Sequence, residues 1–344
     1  IDSPYHREYD RATHPIKGIH MADMRVRYMG LELSNPFVVS SSSLTDSVEK
    51  VKKCAAAGAG AVVLKSLFEE EIQAEIDASG EGAEHTEAAD YIREIQTGAG
   101  LKRYTDLIAG CKDAVDIPVI ASINAVSHNW WETHVPALEK AGADAVELNI
   151  SMMPYDYHDD EAAISEFYVK TVEAVKRLVS IPVAVKIGHY FSSIPAMVDR
   201  LKWSGAKAVV LFNRFYQLDI DVEHMSLRSG SPMSSSRDLA FPLRWITMIH
   251  GKTEAELAAS SGVHTGEDAV KALLAGAQVV QVCSALYQQG LDHLGEMQQG
   301  LTSWMDNHSF STIQQFRGKL SQKRSSQPES FERLQYIKAL VGQS

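Results

Sequence analysis

Eight short runs of apolar, mostly β-branched residues recur along the chain, and each ends in small or polar residues. They are F-V-V-S-S-S from Phe37, A-V-V-L-K-S from Ala61, P-V-I-A-S-I-N from Pro118 and A-V-E-L-N-I-S from Ala145. P-V-A-V-K-I-G follows from Pro182, then A-V-V-L-F-N-R from Ala208, L-A-A-S-S-G-V from Leu257 and V-V-Q-V-C-S-A from Val279. Continuous apolar runs, rather than alternation, mark strands covered on both faces and therefore a parallel sheet. Several are announced by one phrase: A-G-A-G-A-V, A-G-A-D-A-V, S-G-A-K-A-V and A-G-A-Q-V-V. The glycine caps the preceding helix, and the small residues let its end turn tightly into the strand. Eight near-equal units with no dominant breakpoint predict an α/β fold, a (β/α)8 TIM barrel. An open doubly wound sheet is the rival arrangement. The alternating stretch 24–36, around Gly30, predicts an N-terminal β-hairpin that covers the barrel's bottom.

Residues 1–20 lack periodicity and are rich in His, Pro and charge, so they read as an expression leader ahead of Met21. The barrel is expected over 21–290, with C-terminal helices over 291–344 packed on its outside. Two connections, 67–117 and 215–256, exceed the usual loop length and read as lids or binding loops. The second contains S-G-S-P-M-S-S-S before a helix expected around Leu239–Ile249.

A net charge of −11 argues against a nucleic-acid partner. Cys54, Cys111 and Cys283, far apart and odd in number, fit a reduced, cytoplasmic protein. No apolar run approaches the roughly 18 residues of a membrane span. Neither a metal-ligand spacing nor a serine nucleophile elbow is present, so no metal is expected.

In a parallel barrel the ligand sits at the C-terminal ends of the strands. Those ends carry Ser40 to Ser43, Lys65, Ser66, Asn124, Asn149, Ser151, Lys186, Asn213, Gly262 and Ser284. Taken singly, a strand lysine is a snorkelling residue and a buried Asn or Ser caps a loop. Together they make a polar mouth, the default active site. Two lysines and several amides without an acid pair suit an anionic, planar, heteroatom-rich ligand. Gly262, just ahead of a helix beginning near Thr265–Ala269, lets backbone N–H groups approach a phosphate at the seventh loop. His85, His128, His158, His189, His224 and His264 are scattered and read as loop or surface histidines. The acidic run at 69–75 reads as a solvated helix face, and Met152–Met153 as apolar filling.

These residues resemble the dihydroorotate dehydrogenase family, in its dihydroorotate dehydrogenase-like subgroup, over essentially the whole of 22–290. N-P-F-V-V-S-S-S resembles the family's first strand, L-K-S its Lys-Thr pair, and V-E-L-N-I-S its E-L-N-x-S motif. V-A-V-K-I is similar to the flavin-contacting lysine strand and L-F-N-R to the strand with a substrate-side asparagine. The last two units resemble its phosphate-binding ending. The resemblance implies an FMN oxidoreductase acting on a CH–CH bond, dihydroorotate to orotate in pyrimidine biosynthesis. It implies cofactor contacts at Ser41, Lys65, Ser66, Asn124, Asn149, Lys186, Gly262 and Ser284. It places a carboxylated pyrimidine at Lys65, Asn149 and Asn213, and it implies a homodimer.

One position departs from the family. Where the family carries Cys or Ser as the base, this chain has Met152, a thioether with no proton to exchange. Ser151, Tyr155, Asp156 and His158 are nearby substitutes, and Cys283–Ser284 stands for the family's Gly-Thr. The asparagine-rich stretch that surrounds orotate is not recognisable in 67–100. Two other readings stay open: a barrel that binds FMN or a phosphorylated ligand without dehydrogenase turnover, and a phosphosugar isomerase or aldolase using Lys65 or Lys186.

Overall fold

The computed structural model describes residues 22–69, 87–124, 128–214 and 217–332. The leader reading of 1–20, most of the acidic run 69–75, His85 and the tail beyond 332 lie outside them.

The chain opens with β1 (Val26–Tyr28) and β2 (Leu31–Leu33), an antiparallel pair in which Val26 faces Leu33. Met29 and Gly30 between them both have positive φ, the backbone that a tight two-residue hairpin needs. In chain order follow β3 (Phe37–Val39), α1 (Val48–Ala56), β4 (Ala61–Val63), β5 (Leu67–Phe68), α2 (Glu87–Ala114), β6 (Val119–Asn124), α3 (His128–Lys140) and β7 (Ala145–Asn149). Next come α4 (Glu161–Leu178), β8 (Val183–Ile187), α5 (Ile194–Trp203), β9 (Ala208–Leu211), β10 (Leu218–Asp221), β11 (Ser226–Ser229) and α6 (Ala240–Ile249). The last are β12 (Glu256–Ser260), α7 (Gly266–Ala275), β13 (Val279–Val282), α8 (Ser284–Gln289) and α9 (His293–Asn307).

Strands β3, β4, β6, β7, β8, β9, β12 and β13 pair in that cyclic order, all parallel, and β13 returns to β3. The result is a closed (β/α)8 barrel, built from the eight runs read in the sequence. Strands β3, β4, β6, β8, β9 and β13 are buried at every residue, which is why they carry no polar alternation. The hairpin does sit at the bottom. The Met29 N–H donates to Glu256 at the start of β12 (2.5 Å), and the Gln278 side chain, just ahead of β13, donates to the Arg27 carbonyl.

Sequence periodicity did not foresee β10 and β11, an exposed antiparallel hairpin inside the long sixth connection. On the outside, α9 lies across α7 so closely that a Cβ on Gly266 would come within 2.5 Å of the Met297 carbonyl oxygen. Past α9 the described chain continues through short 3₁₀ turns. No helix among the described residues is long and apolar enough to cross a membrane.

His250, which ends α6, is held between two glycines. A Cβ on Gly276 or Gly318 would each fall 2.2 Å from its ring. Burial first, then the positive charges of Arg317 and Arg324, lowers its pKa to about 4. The folded state therefore resists protonation that the unfolded chain accepts near 6.5. Stability should be unaffected above pH 6.5 and decline as pH falls from 6.5 toward 4. The ring is partly solvated, so the loss is on the order of 1 kcal/mol. Urea melts across that range should show the decline in the wild type and a flatter profile in His250→Gln.

Candidate active site

Alternation along a strand puts every second side chain on the same face, and on β7 that face carries Glu147 and then Asn149. Asn149 lies in register with Lys186 of β8. Its side-chain carbonyl accepts a hydrogen bond from Asn213 Nδ2, just past β9, at 2.8 Å. Lys186 is buried, and its ammonium donates to Ser40 Oγ and to Gln281 Oε1, both at 3.2 Å. Ser40 also donates to Gln281 (3.1 Å), and the Gln281 amide NH2 donates to Glu147 Oε2 at 2.5 Å. Burial pushes the Glu147 carboxyl up, while Lys186 and Gln281 pull it back.

A second chain of hydroxyls joins the first, second and third strand ends. Ser41 Oγ is 3.1 Å from Ser66 Oγ and accepts the Ser66 N–H at 2.9 Å, and Ser66 Oγ is 2.8 Å from Ser122 Oγ. Tyr104 from α2 closes it, donating to the Ser122 carbonyl and accepting the Ser122 N–H, each at 2.8 Å.

At the far side, Ser261 and Gly262 both have positive φ. The Gly262 N–H points to Ser234 Oγ (3.4 Å), which is 3.0 Å from His264 Nε2, and the Ser234 N–H donates to Ser284 Oγ at 3.0 Å. The helix expected to begin near Thr265–Ala269 is α7, and Thr265 caps it in a reciprocal capping box with Asp268. Asp268 also accepts the N–H groups of His264 and Thr265, both at 3.1 Å, and the Ser236 hydroxyl. The helix end thus already has its own anion. Gly262 is required for a reason the sequence did not disclose: its missing Cβ makes room for the backbone of Leu239.

Of the sequence-derived residues, Ser40, Ser41, Lys186, Asn213, Gly262 and Ser284 line one cavity of about 220 Å³. Asn149 is tied to it through Asn213. Asn213, Arg214, Ser260 and Ser261 also line a neighbouring cavity of about 490 Å³, walled by His189, Phe212 and Phe241. Lys65 and Ser66 face a different hollow of about 220 Å³, with Asp46, Arg103 and Tyr104. Asn124 is buried at the tip of β6, beside Phe68 of β5.

Met152 is half-buried against the core, and Ser151 before it is also half-buried. Tyr155, Asp156 and His158 are exposed, in a turn whose N–H groups are held by Asp159 and Asp156. His224 is exposed beside Asp221. Among the described residues no group of three or more His, Cys, Asp or Glu side chains could hold a metal.

The sequence reading missed Gln281 and Ser234, and noticed Glu147 only as part of a motif. Gln281 was the one findable signal, a lone amide inside V-V-Q-V.

The profile of the family described as Dihydroorotate dehydrogenase matches residues 23–305. The chain belongs to the dihydroorotate dehydrogenase family. Its relatives include a putative dihydroorotate dehydrogenase A (fumarate) from Aeropyrum pernix, 29% identical over 232 residues, 64% of this chain and 72% of that protein. The catalytic subunit of dihydroorotate dehydrogenase B (NAD(+)) from Thermoplasma volcanium is 27% identical over 312 residues, 87% of this chain and 98% of the relative. The NAD-dependent dihydropyrimidine dehydrogenase subunit PreA of Escherichia coli (strain K12) is 26% identical over 319 residues, 86% of this chain and 76% of the relative. The protein is thus an oxidoreductase of dihydroorotate dehydrogenase type, which sets aside the isomerase or aldolase reading. The names of these relatives cover two ring substrates.

The donor set suits the flavin that the family resemblance implies. Lys186 uses two of its ammonium hydrogens on Ser40 and Gln281 and, among the described residues, keeps a third for a ligand.

Proposed function

We propose that the protein is an FMN-dependent oxidoreductase acting on the CH–CH bond of a carboxylated pyrimidine or a related reduced ring. The observation that carries this reading is the Lys186 ammonium, fixed by Ser40 and Gln281 in the wall of a mouth cavity that also has Gly262 and Ser284. FMN, when bound, supplies the hydride acceptor. Lys186 would hold the electron-rich edge of the ring and stabilise the charge that reduction places there. The serines around Gly262, with Ser284, would hold the phosphate. Ser41, Ser66 and Asn124 would complete the cofactor's contacts. Lys65, Asn149 and Asn213 would orient the substrate, and the Asn213–Asn149 hydrogen bond presets two of these three. The family likeness makes a cytoplasmic homodimer the expected form, and the barrel domain is taken as 21–290.

Met152 supports a second reading, in which the barrel binds FMN or a phosphorylated ligand without turning over a pyrimidine. The visible spectrum separates the two. The purified protein should be yellow, and anaerobic dihydroorotate should bleach it slowly. A yellow protein unchanged by dihydroorotate and by other dihydropyrimidines leaves the binding reading standing, whereas turnover of any pyrimidine ends it.

A further inference from the structure

Among the described residues the barrel's interior carries one acid where this architecture calls for apolar packing. Glu147 is 1% exposed, one interior layer below Asn149. One of its oxygens, Oε1, is buried with no hydrogen-bond partner among the described residues. A buried carboxylate is weak evidence for stability, because apolar side chains of similar volume commonly serve as well. The connection to Lys186 gives the residue a different purpose. A single amide, Gln281, is held at both ends: its NH2 donates to Glu147 and its oxygen accepts from Lys186 and Ser40. That orientation is the one the charges demand, with the amide hydrogens toward the anion and its oxygen toward the cation. Burial first, with a smaller contribution from the Glu147 charge, raises the pKa values of the phenols Tyr28 and Tyr104, so both stay neutral. Lys186 is the cation that acts on this carboxyl.

We propose that Glu147 is a positioning residue that acts through Gln281, fixing the Lys186 ammonium at the mouth cavity and damping its positive field on the bound ring. The inference rests on the FMN reading. Lys186 favours negative charge on the ring, and Glu147, one amide further away, opposes it.

Sulfite tests this on the oxidised holoprotein, because its addition to the flavin's N5 leaves negative charge on the ring. Glu147→Gln removes the opposing charge at nearly constant volume. The sulfite dissociation constant should fall about tenfold, and the flavin midpoint potential should move positive. In a Lys186→Met background burial, no longer opposed by the ammonium, holds the Glu147 carboxyl neutral, so the same substitution should change sulfite affinity by less than about twofold. Glu147→Asp, which keeps the charge but withdraws it by one methylene, should shift both readouts the same way by less, and it serves if the Gln variant does not fold. A flavin-loaded variant whose sulfite affinity and potential match the wild type overturns the inference. An equal shift in the Lys186→Met background overturns it too. A wild-type protein without flavin overturns the FMN reading and this inference with it, an outcome distinct from the other two.

Discussion

Met152→Cys should raise the single-turnover rate of flavin reduction by dihydroorotate about 10²–10⁴-fold, the usual worth of a positioned general base. The backbone at this site is already held for it. Tyr168 donates its hydroxyl hydrogen to the Ile150 carbonyl (3.0 Å) and accepts the Met152 N–H (3.3 Å). Its ring is buried and packs edge-on against Phe191, with centroids 5.2 Å apart. Residue 152 therefore leaves the end of β7 from a fixed anchor, and a shorter side chain changes the functional group rather than the path. The gain should grow as pH rises through the thiol range, about 8–9, because the thiolate is the base. Met152→Ser should gain less steeply with pH, and Met152→Ala should gain nothing. Losing methionine's half-buried contacts costs about 1–2 kcal/mol, so a thermal melt should accompany the kinetics. Stopped-flow absorbance under anaerobic conditions reads the rate. If the cysteine variant folds, keeps flavin and is no faster, the missing base is not what separates this chain from dihydroorotate oxidation. Substrate binding is then the place to look.

The barrel was legible because its eight strands are buried on both faces, and that burial writes continuous apolar runs into the chain. The hairpin at 24–36 was legible through alternation and Gly30. The β10–β11 hairpin was not, because a ribbon with no buried residue has no core face to impose a pattern. At the mouth, position along a strand identified Lys186, Asn213 and Ser284, but could not say which of them share a cavity. Lys65 and Lys186 have the same place in the repeat, yet Lys186 lies within β8 whereas Lys65 lies two residues past β4, and they line different hollows. Glu147 and Gln281 were hidden for a different reason. They are adjacent only because β7 and β13 face each other across the barrel, a separation of 134 residues along the chain.

Gly262→Ala should cost about 2–4 kcal/mol and empty the mouth of its ligand, although the substitution adds one methyl group. Two effects combine. At φ +80 any L side chain pays about 1–2 kcal/mol for the left-handed backbone. The added Cβ would also lie 2.1 Å from the Leu239 nitrogen and 2.6 Å from its Cα, backbone that cannot swing aside as a side chain would. Relief requires pushing the 238–239 segment outward. The Ser234 hydroxyl, which faces both the Gly262 N–H and His264, would move with it, and so would the Ser234 N–H on Ser284. The expected result is a destabilised protein purified with little flavin. Gly290→Ala isolates the first effect: its φ is +85, with nothing within 4 Å of the added methyl. It should cost about 1 kcal/mol and leave flavin content unchanged. Urea melts and the flavin-to-protein absorbance ratio of both variants decide the matter. Equal costs, with flavin retained in both, would mean that the Leu239 backbone yields freely and that Gly262 is needed only for its conformation.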